Sequence, residues 1–324
     1  DALDLIEFAN AGTDTKWGKL RADMGHPRPF NLKMIGVGNE QWDSQYIVRY
    51  KMWETALKTK HPEIKLVSSV GPSPDDERFH YGWSQLKDSR ADLVDEHYYM
   101  TPDWFLQNAS RYDNYDRKGP HIFAGEYAAH IKDKEKDQPE SRNTWGSALA
   151  EAAFMTGLER NADVVNMASY APLLAHVDAW QWRPDLIWFD NLRSVGTPNY
   201  YVQKLFANYK GTNTVPVLEN GKALTGQDSI YASATIDAAK HQLLLKVVNV
   251  STAARPYRIR LEGATATREP ALQQLLTAAD KLAINTLDEP SLVAPLQQPL
   301  TITKNSASVT LQPASVNVFV IPYK

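Results

Sequence analysis

Two glutamates each follow a short apolar segment with the composition of a buried β-strand. Glu40 lies two residues after the segment 33–38, and Glu126 ends the segment 121–126. Catalytic side chains of parallel β/α barrels lie at the carboxyl ends of the strands. Glycoside hydrolysis needs a carboxyl pair, because one group protonates the leaving oxygen while the other attacks the anomeric carbon or activates water. The pair therefore predicts a glycosidase site, although Glu40 alone is also consistent with a cap on the next helix.

Three further side chains near these glutamates can bind a sugar or a carboxylate. Asn39 precedes Glu40, and its amide can bond a substrate hydroxyl. His97 and Tyr99 end another predicted strand and alternate onto the same side of it, so the Tyr99 hydroxyl could hold the nucleophilic carboxylate. His97 is equally consistent with a structural histidine at the top of a barrel. Because no His-x-His or His-x-x-x-His spacing accompanies it, we predict no metal ion and no cofactor.

A tryptophan-rich stretch follows the strand that ends at Tyr170. Residues 171–191 contain His176, Trp180, Trp182 and Trp188. Flat rings above a barrel mouth can stack on sugar faces, which makes Tyr170 and Trp182 candidate substrate-binding residues. The alternative is that these rings pack the barrel against a second domain. The charged run 132–137 is predicted to be a solvated loop.

From residue 1 to about residue 210, short apolar segments alternate with longer helical patterns. Strands are predicted at 33–38, 64–70, 91–97, 121–126 and 163–170, and helices at 45–60, 76–87, 102–109, 143–160 and 198–208. This repetition predicts parallel strands with crossover helices, in a doubly wound sheet or a (β/α)8 barrel. Residues 1–210 are therefore predicted to form the catalytic domain.

From about residue 211 the composition shifts to β-branched residues separated by turn signals. Residues 229–236, 242–248, 255–261, 308–311 and 316–321 alternate or run apolar. They predict an antiparallel, jelly-roll-like β-sandwich over residues 211–324. The stretch 281–300 is rich in proline and polar residues and is predicted to be a long loop.

The overall composition argues against several functional classes. A net charge of −3 over 324 residues argues against nucleic acid or an anionic membrane as a partner. The absence of cysteine excludes disulfides, thiolate metal sites and a cysteine nucleophile. No apolar run approaches the roughly 18 residues of a transmembrane helix. The compartment stays open, either cytoplasmic or periplasmic and extracellular, because residue 1 begins inside a helical pattern and no signal peptide is visible.

The chain also contains long ordered runs that resemble one enzyme family. They are KWGKLRADMGHPRPF (16–30), IGVGNEQW (35–42), HPEIKLVSS (61–69), DEHYY (95–99), FAGEYAAH (123–130), ALAEAAFMTGLERNADVVNMASYAPLL (148–174) and PDLIWFDNLRSVGTPNYYVQKLF (184–206). These runs cover nearly all of residues 1–210 and resemble the α-L-arabinofuranosidases of glycoside hydrolase family 51. Runs of this length are far more specific than an isolated Asn-Glu pair.

The resemblance implies a (β/α)8 barrel with a β-sandwich. It also implies exo-acting release of terminal α-L-arabinofuranose from arabinan or arabinoxylan, with retained configuration. In that family the acid/base would be Glu40 and the nucleophile Glu126. Asn39 would bind a sugar hydroxyl, and Tyr99 would contact the nucleophile. Retention requires the two carboxyl groups to lie about 5–5.5 Å apart.

Two departures from the family pattern affect these expectations. Many members continue past the nucleophile as Glu-Trp-Asn, whereas this chain has Glu126-Tyr127-Ala128, so it is closer to the plant-like branch. Glu40 should also end the fourth barrel strand, yet only 32 residues precede the segment 33–38. The chain is therefore expected to be a C-terminal portion that lacks the first three βα units. Self-association or an N-terminal fragment would then complete the barrel.

Two other functions are consistent with the same residues. One is another retaining barrel glycosidase, such as a xylosidase or an endoglucanase. The other is a catalytically inactive fragment that binds carbohydrate through its sandwich or its tryptophan-rich stretch. Aryl glycoside substrates separate the first from an arabinofuranosidase, and binding without turnover would identify the second.

Overall fold

The computed structural model describes residues 1–87, 89, 91–130 and 143–324, which divide into two units. The first unit is Asp1–His97 with Arg117–Phe123, and the second is Tyr98–Asp116 with Ala124–Lys324. Two strands, β3 (Leu93–Met100) and β4 (His121–Ala129), pass from the first unit into the second along the chain. The domain boundary predicted at residues 210 and 211 falls inside the second unit and stays a prediction.

The first unit consists of parallel strands joined by helices. Besides the beginnings of β3 and β4, its elements are α1 (Ala2–Asn10), α2 (Lys16–Asp23), β1 (Met34–Val37), α3 (Ser44–Lys60), β2 (Lys65–Ser69) and α4 (Glu77–Leu86). β1 pairs with β2 in parallel, with Met34 opposite Lys65, and β2 pairs with β3, with Val67 opposite Leu93. The predicted strand–helix repetition is therefore present.

The second unit continues the repetition and adds the antiparallel part of the chain. Its helical portion contains α5 (Pro102–Gln107), a short 3₁₀ helix (Arg111–Asn114), α6 (Trp145–Arg160), β5 (Val165–Ala168) and α7 (Pro198–Asn208). The parallel sheet has the order β1-β2-β3-β4-β5, the same as the order in the chain. A doubly wound sheet reverses its strand order at a switch point. The order therefore favours the barrel alternative.

Six of the helices begin at an aspartate or threonine whose side chain accepts a hydrogen bond from the backbone N–H three residues later. These caps are Thr15, Asp43, Asp76, Thr101, Thr144 and Thr197, at the starts of α2 to α7 respectively. Each cap satisfies one of the backbone donors that the first helical turn leaves without a partner. The helix boundaries are therefore encoded locally, which explains why the sequence patterns located the helices closely.

Strand β1 differs from its prediction as a buried strand. Only Val37 in it is buried, and Met34 is 36% exposed. β2, by contrast, buries Leu66 completely. Among the described residues β1 has a strand neighbour on one side only, at the end of the sheet order. The prediction of a buried strand at 33–38 was wrong, because burial depends on neighbours that an apolar composition does not provide.

Helix α6 is the core of the second unit. Thirteen of its sixteen residues are buried, many of them alanines, because α5, α7 and the antiparallel sheet all contact it. Small side chains allow these close approaches. At Gly157 an added Cβ would lie only 2.0 Å from the Ala109 carbonyl oxygen. The helix is therefore fixed in position by packing on every side.

The predicted loop 171–191 contains strands that the sequence patterns did not indicate. β6 (Leu174–His176) pairs in parallel with β7 (Ile187–Phe189), which pairs in antiparallel with β8 (Ser194–Gly196). Ala175, Trp188 and Val195 form a small apolar core between them. Strands of three residues are too short to show an alternation pattern, so only their mutual pairing reveals them.

The antiparallel part confirms the predicted β-sandwich. Its strands are β9 (Asn213–Val215), β10 (Leu218–Glu219), β11 (Lys222–Ala223), β12 (Ile230–Asp237), β13 (Gln242–Asn249), β14 (Arg255–Arg260), β15 (Ala271–Thr277), β16 (Leu296–Leu300), β17 (Ser306–Leu311) and β18 (Ser315–Pro322). One sheet has the order β16-β15-β18-β13-β12-β9, and β14 pairs with β17 in a second sheet. Ile230, Leu245 and Phe319 of the first sheet pack against Tyr257 and Val309 of the second.

The predicted loop at 281–300 was partly wrong, because β16 occupies its end. β16 is the outermost strand of its sheet and pairs only with β15. An edge strand tolerates proline, so Pro299 does not prevent pairing. No described helix is both long enough and apolar enough to cross a membrane.

A buried ion pair joins α6 to the larger sheet of the sandwich. Lys246 Nζ lies 2.5 Å from Glu159 Oε1 and donates to the Tyr209 carbonyl oxygen at 2.7 Å. The Lys246 side chain is fully buried, and this desolvation lowers its pKa, while Glu159 favours the charged form. The Lys246 ammonium group therefore depends on Glu159 to offset the free-energy cost of burying its charge.

We expect Glu159→Gln to lower the free energy of unfolding by about 3–5 kcal/mol, because it leaves a buried charge without its partner. Urea unfolding near neutral pH measures this. Asp288→Asn, which breaks an ion pair with Arg193 on the surface, is the matched control and should cost less than about 1 kcal/mol. Equal losses of unfolding free energy in the two variants would contradict the stabilising role assigned to the buried Lys246–Glu159 pair.

Candidate active site

Glu40 lies in a tight turn between β1 and α3. Gly38 has φ of 89° and Glu40 has φ of 54°, so both residues adopt the left-handed conformation. A Cβ at position 38 would lie 2.9 Å from the Tyr46 ring, which explains the glycine. The cap of α3 is Asp43, whose Oδ1 accepts from Tyr46 N. Glu40 is therefore not the helix cap, and the alternative weighed for it is removed.

The Tyr46 hydroxyl connects the carboxyl ends of β1 and β2. It donates to the Val37 carbonyl oxygen at 2.7 Å and accepts from Ser69 N at 2.8 Å. Burial raises the pKa of Tyr46 to about 12, so the phenol keeps its proton and its donor function. Val37 directly precedes the turn. The strand end that leads to Glu40 is therefore held by a buried side chain.

His97 is bonded to two carboxylates in the first unit. Its Nδ1 lies 3.0 Å from Glu40 Oε1 and its Nε2 lies 3.1 Å from Asp95 Oδ2. The residue is 1% exposed, whereas the Glu40 side chain is 36% exposed. A neutral imidazole can donate from one nitrogen only. A neutral His97 therefore donates to only one of the two carboxylates at a time.

Glu126 is held by a tyrosine in the second unit. Tyr99 Oη donates to Glu126 Oε2 at 2.8 Å. The ring of Trp182 meets the Tyr99 ring edge-on, with centroids 5.4 Å apart. A hydrogen bond to one carboxylate oxygen limits the rotation of the side chain. This arrangement suits a nucleophile.

The backbone around Glu126 is fixed by the residue after β5. Ser169 N donates to the Ala124 carbonyl oxygen at 2.9 Å, and Ser169 Oγ donates to that of Gly125 at 2.7 Å. Both acceptors lie immediately before Glu126. The position of the Glu126 Cα is therefore set by main-chain contacts on the side of β5.

A buried glutamate that the sequence patterns did not single out lies behind the end of β4. Glu151 Oε1, from α6, accepts from Ala129 N at 2.8 Å. Tyr127 Oη donates to Gln203 Oε1 at 2.9 Å in the same layer. Burial raises the pKa of Glu151 to about 8, partly offset by Asn199, Ala129 N–H and Gln203. A single carboxylate in an otherwise apolar helical run was the signal that could have revealed it.

The remaining predicted site residues have different exposures. Asn39 is exposed beside Glu40. Trp182 is 50% exposed, whereas Tyr170 is 5% exposed and its Oη accepts from Asn143 Nδ2. The binding roles assigned to Asn39, His97, Tyr99, Tyr170 and Trp182, and the catalytic roles of both glutamates, stay predictions. The run 132–137 lies outside the described residues.

Two family profiles match most of the chain. The α-L-arabinofuranosidase C-terminal domain matches residues 125–315, and the α-L-arabinofuranosidase 1 domain matches residues 1–117. The chain belongs to the α-L-arabinofuranosidases of glycoside hydrolase family 51. The resemblance first found in the sequence runs is confirmed.

Curated arabinofuranosidases align over large parts of the chain. The chain is 50% identical to an extracellular exo-α-L-arabinofuranosidase of Streptomyces chartreusis over 229 residues, which are 70% of this chain and 26% of the relative. It is 32% identical to α-L-arabinofuranosidase 2 of Arabidopsis thaliana over 305 residues, 94% of this chain and 43% of the relative. The chain therefore spans less than half the length of these arabinofuranosidases.

Solved arabinofuranosidases share the fold. An arabinose-bound family 51 α-L-arabinofuranosidase matches with a TM-score of 0.87 and 31% identity, over 100% of this chain and 50% of that chain. The predicted fold class, strands of a (β/α)8 barrel followed by an antiparallel β-sandwich, is confirmed.

We expect Glu151→Gln to change the pH dependence of stability of this chain. The pKa of Glu151 is about 8 in the folded chain and near the ordinary value of 4.5 when unfolded, so folding favours the protonated form. Its stabilising effect is complete below about pH 4.5 and is lost as pH rises through about 8. Glutamine stays neutral and still accepts from Ala129 N. The variant should match the parent near pH 4.5 and exceed it above pH 8, by at most about 5 kcal/mol.

Thermal unfolding between pH 5 and 9 measures this difference. The exposed Glu269→Gln is the control, and its difference from the parent should not vary with pH. Parallel pH profiles for the Glu151 variant and the parent would show that Glu151 is ionised in the folded chain.

Proposed function

We propose that this chain carries the catalytic carboxylates of a retaining α-L-arabinofuranosidase, which removes terminal α-L-arabinofuranosyl residues from arabinan- or arabinoxylan-type chains. Membership in family 51 and the names of the aligned relatives support this activity. The observation that carries the proposal is the 2.8 Å hydrogen bond from Tyr99 Oη to Glu126 Oε2. The bond orients a carboxylate in the carboxyl-terminal half of β4, and barrel enzymes bind substrate at the carboxyl ends of their strands.

In the first step Glu126 attacks the anomeric carbon and forms a glycosyl ester. Glu40 gives its proton to the departing glycosidic oxygen, so the leaving group departs as an alcohol. Tyr99 holds Glu126 through a hydrogen bond to Oε2 and so orients the carboxylate for the attack. His97, which contacts Glu40 and Asp95, is a neighbouring group that can carry a proton.

In the second step Glu40, now ionised, takes a proton from water, and the resulting hydroxide attacks the anomeric carbon. The bond to Glu126 breaks, and the second inversion restores the original configuration. The reaction requires no redox chemistry and no external proton carrier, so both carboxylates return to their starting states. Asn39 is assigned to a sugar hydroxyl, and Trp182, half exposed beside Tyr99, to a face of the sugar; Tyr170 and His97 complete the proposed binding set.

The exposed side of β1 and α3 supports a second element of the proposal, a further polypeptide segment that continues the sheet. Val48 and Met52 on α3 are 62% and 68% exposed, and Met34 on β1 is 36% exposed. A (β/α)8 barrel has eight strands, and the described parallel sheet has five. Because the chain covers 50% of the matched family 51 structure, the occupant we propose is a segment of three βα units that pairs in parallel with β1.

Co-expression tests this segment. The preceding part of the Streptomyces chartreusis relative, supplied as a separate polypeptide, should copurify with the chain and restore hydrolysis of an aryl α-L-arabinofuranoside. Met52→Glu should abolish copurification but change the stability of the chain alone by less than about 0.5 kcal/mol, because the position is exposed. A chain that instead forms a dimer, and dissociates on Met52→Glu, would show that a second copy occupies the surface.

We expect Glu126→Ala and Glu40→Ala each to lower turnover of the assembled enzyme by at least about 10³-fold, since each removes a group that forms or breaks a bond. Azide should restore turnover in both. The Glu126 variant should yield the β-configured glycosyl azide, because azide then attacks the substrate directly. The Glu40 variant should yield the α-configured azide through the glycosyl ester.

Proton NMR of the glycosyl azide determines its anomeric configuration. A β-configured azide from the Glu40 variant would reverse the roles assigned to Glu40 and Glu126. Faster turnover of aryl β-xyloside than of aryl arabinofuranoside would favour the xylosidase alternative. Calorimetric binding without hydrolysis by the assembled protein would favour the carbohydrate-binding alternative.

A further inference from the structure

A single buried asparagine connects both ends of the tryptophan-bearing stretch. Asn143 is 1% exposed and directly precedes Thr144, the cap of α6. Its Nδ2 donates to Tyr170 Oη at 3.2 Å, and its Oδ1 accepts from Asp185 N at 3.0 Å. We call these three residues the Asn143 bridge. Both partners are themselves buried, so water does not replace the asparagine.

The residues between the two partners contact the proposed nucleophile through one ring. Residues 171–184, here called the tryptophan segment, contain Trp182, which meets the Tyr99 ring edge-on at 5.4 Å. Tyr99 in turn donates to Glu126. The Asn143 bridge therefore connects the two ends of the tryptophan segment. This segment carries Trp182, whose side chain is 50% exposed.

The bridge is anchored on the most constrained element of the second unit. α6 is packed on every side, and Asn143 directly precedes its cap residue Thr144, so the backbone of the asparagine is fixed next to the helix. Asp185 needs such an anchor. Its Oδ2 is buried without a hydrogen-bond partner among the described residues, and burial raises the pKa of this carboxyl to about 6. The hydrogen bond from Asp185 N to Asn143 Oδ1 holds Asp185 at a buried position, which its ionisable side chain disfavours.

We infer that Asn143 is a positioning residue that holds the tryptophan segment so that the Trp182 ring stays against Tyr99. It acts on sugar binding through Trp182, not on the bond-breaking steps. The inference rests on the proposed function for the role of Trp182, but the bridge itself is measurable without any substrate.

Asn143→Leu removes both hydrogen bonds while keeping a similar volume. We expect KM for the aryl arabinofuranoside to rise about tenfold or more, as the loss of two buried hydrogen bonds implies, with kcat changed less than about threefold. Backbone hydrogen exchange in residues 171–184 should accelerate. Asn161→Leu is the matched control, because Asn161 is equally buried at the other end of α6; it should leave KM and this exchange unchanged.

Asn143→Asp gives a readout that a purely structural role would not produce. The protonated aspartic acid can accept from Asp185 N and donate to Tyr170 Oη. The ionised form can only accept, so it keeps the second contact only if the Tyr170 hydroxyl turns to donate to it, and its charge lies beside Asp185. The groups that face it are Asp185 and Tyr170, with Glu151, Tyr127 and Tyr99 around Tyr170. The carboxyl groups of Asp185 and Glu151, together with the burial of the site, oppose a new negative charge at position 143. KM of this variant should approach the parent value at acid pH and rise as pH increases.

Two results would overturn the inference. One is Asn143→Leu with parent-like KM and parent-like exchange in residues 171–184. The other is Asn143→Asp, used if the leucine variant does not fold, with a KM that follows the parent at every pH. If the parent enzyme does not hydrolyse arabinofuranosides, the proposed function fails, and accelerated exchange in Asn143→Leu alone still supports the bridge.

Discussion

The carboxyl ends of the parallel strands carry backbone groups that no further strand can satisfy. A buried N–H or carbonyl without a partner costs free energy comparable to a lost hydrogen bond, so side chains bond several of these groups. Tyr46 supplies one for Val37 and Ser69, and Glu151 supplies one for Ala129. Glu40 follows the end of β1, and Glu126 lies three residues before the end of β4. The side chains that bond these strand ends are therefore close in sequence to the proposed catalytic residues.

This constraint places ionisable groups where water cannot reach them. Glu151 and Asp185 both have pKa values raised by burial, and Lys246 has a lowered one for the same reason. Each is tied to α6 or to the residue before it, directly or through Asn143. The helix thereby links the end of β4, the tryptophan segment and the sandwich. Its small side chains allow the close packing, and its few polar ones make the specific contacts.

The proposed chemistry uses a contrast between the two glutamates. Glu126 is held by a phenol hydroxyl that donates a hydrogen bond to it. Glu40 is held by an imidazole, a group that can carry a proton, and this imidazole also contacts Asp95. A nucleophile and an acid/base need these opposite surroundings. The structure of each unit by itself is consistent with the role assigned to its glutamate.

The sequence by itself determined most of the local features: the helices other than α2, the parallel repetition, the two glutamates near strand ends and the family. Caps such as Asp43 and runs such as IGVGNEQW depend on residues close together in the chain, so a pattern can reveal them. Only the tertiary structure decided that β1 is an exposed edge, that 171–191 contains strands, that Glu151 bonds the end of β4, and that Asn143 contacts Tyr170 and Asp185. Burial, pairing and pKa depend on segments far apart in the chain: Glu151 meets Ala129 across 22 residues, and Asn143 meets Asp185 across 42. No local pattern encodes such neighbours.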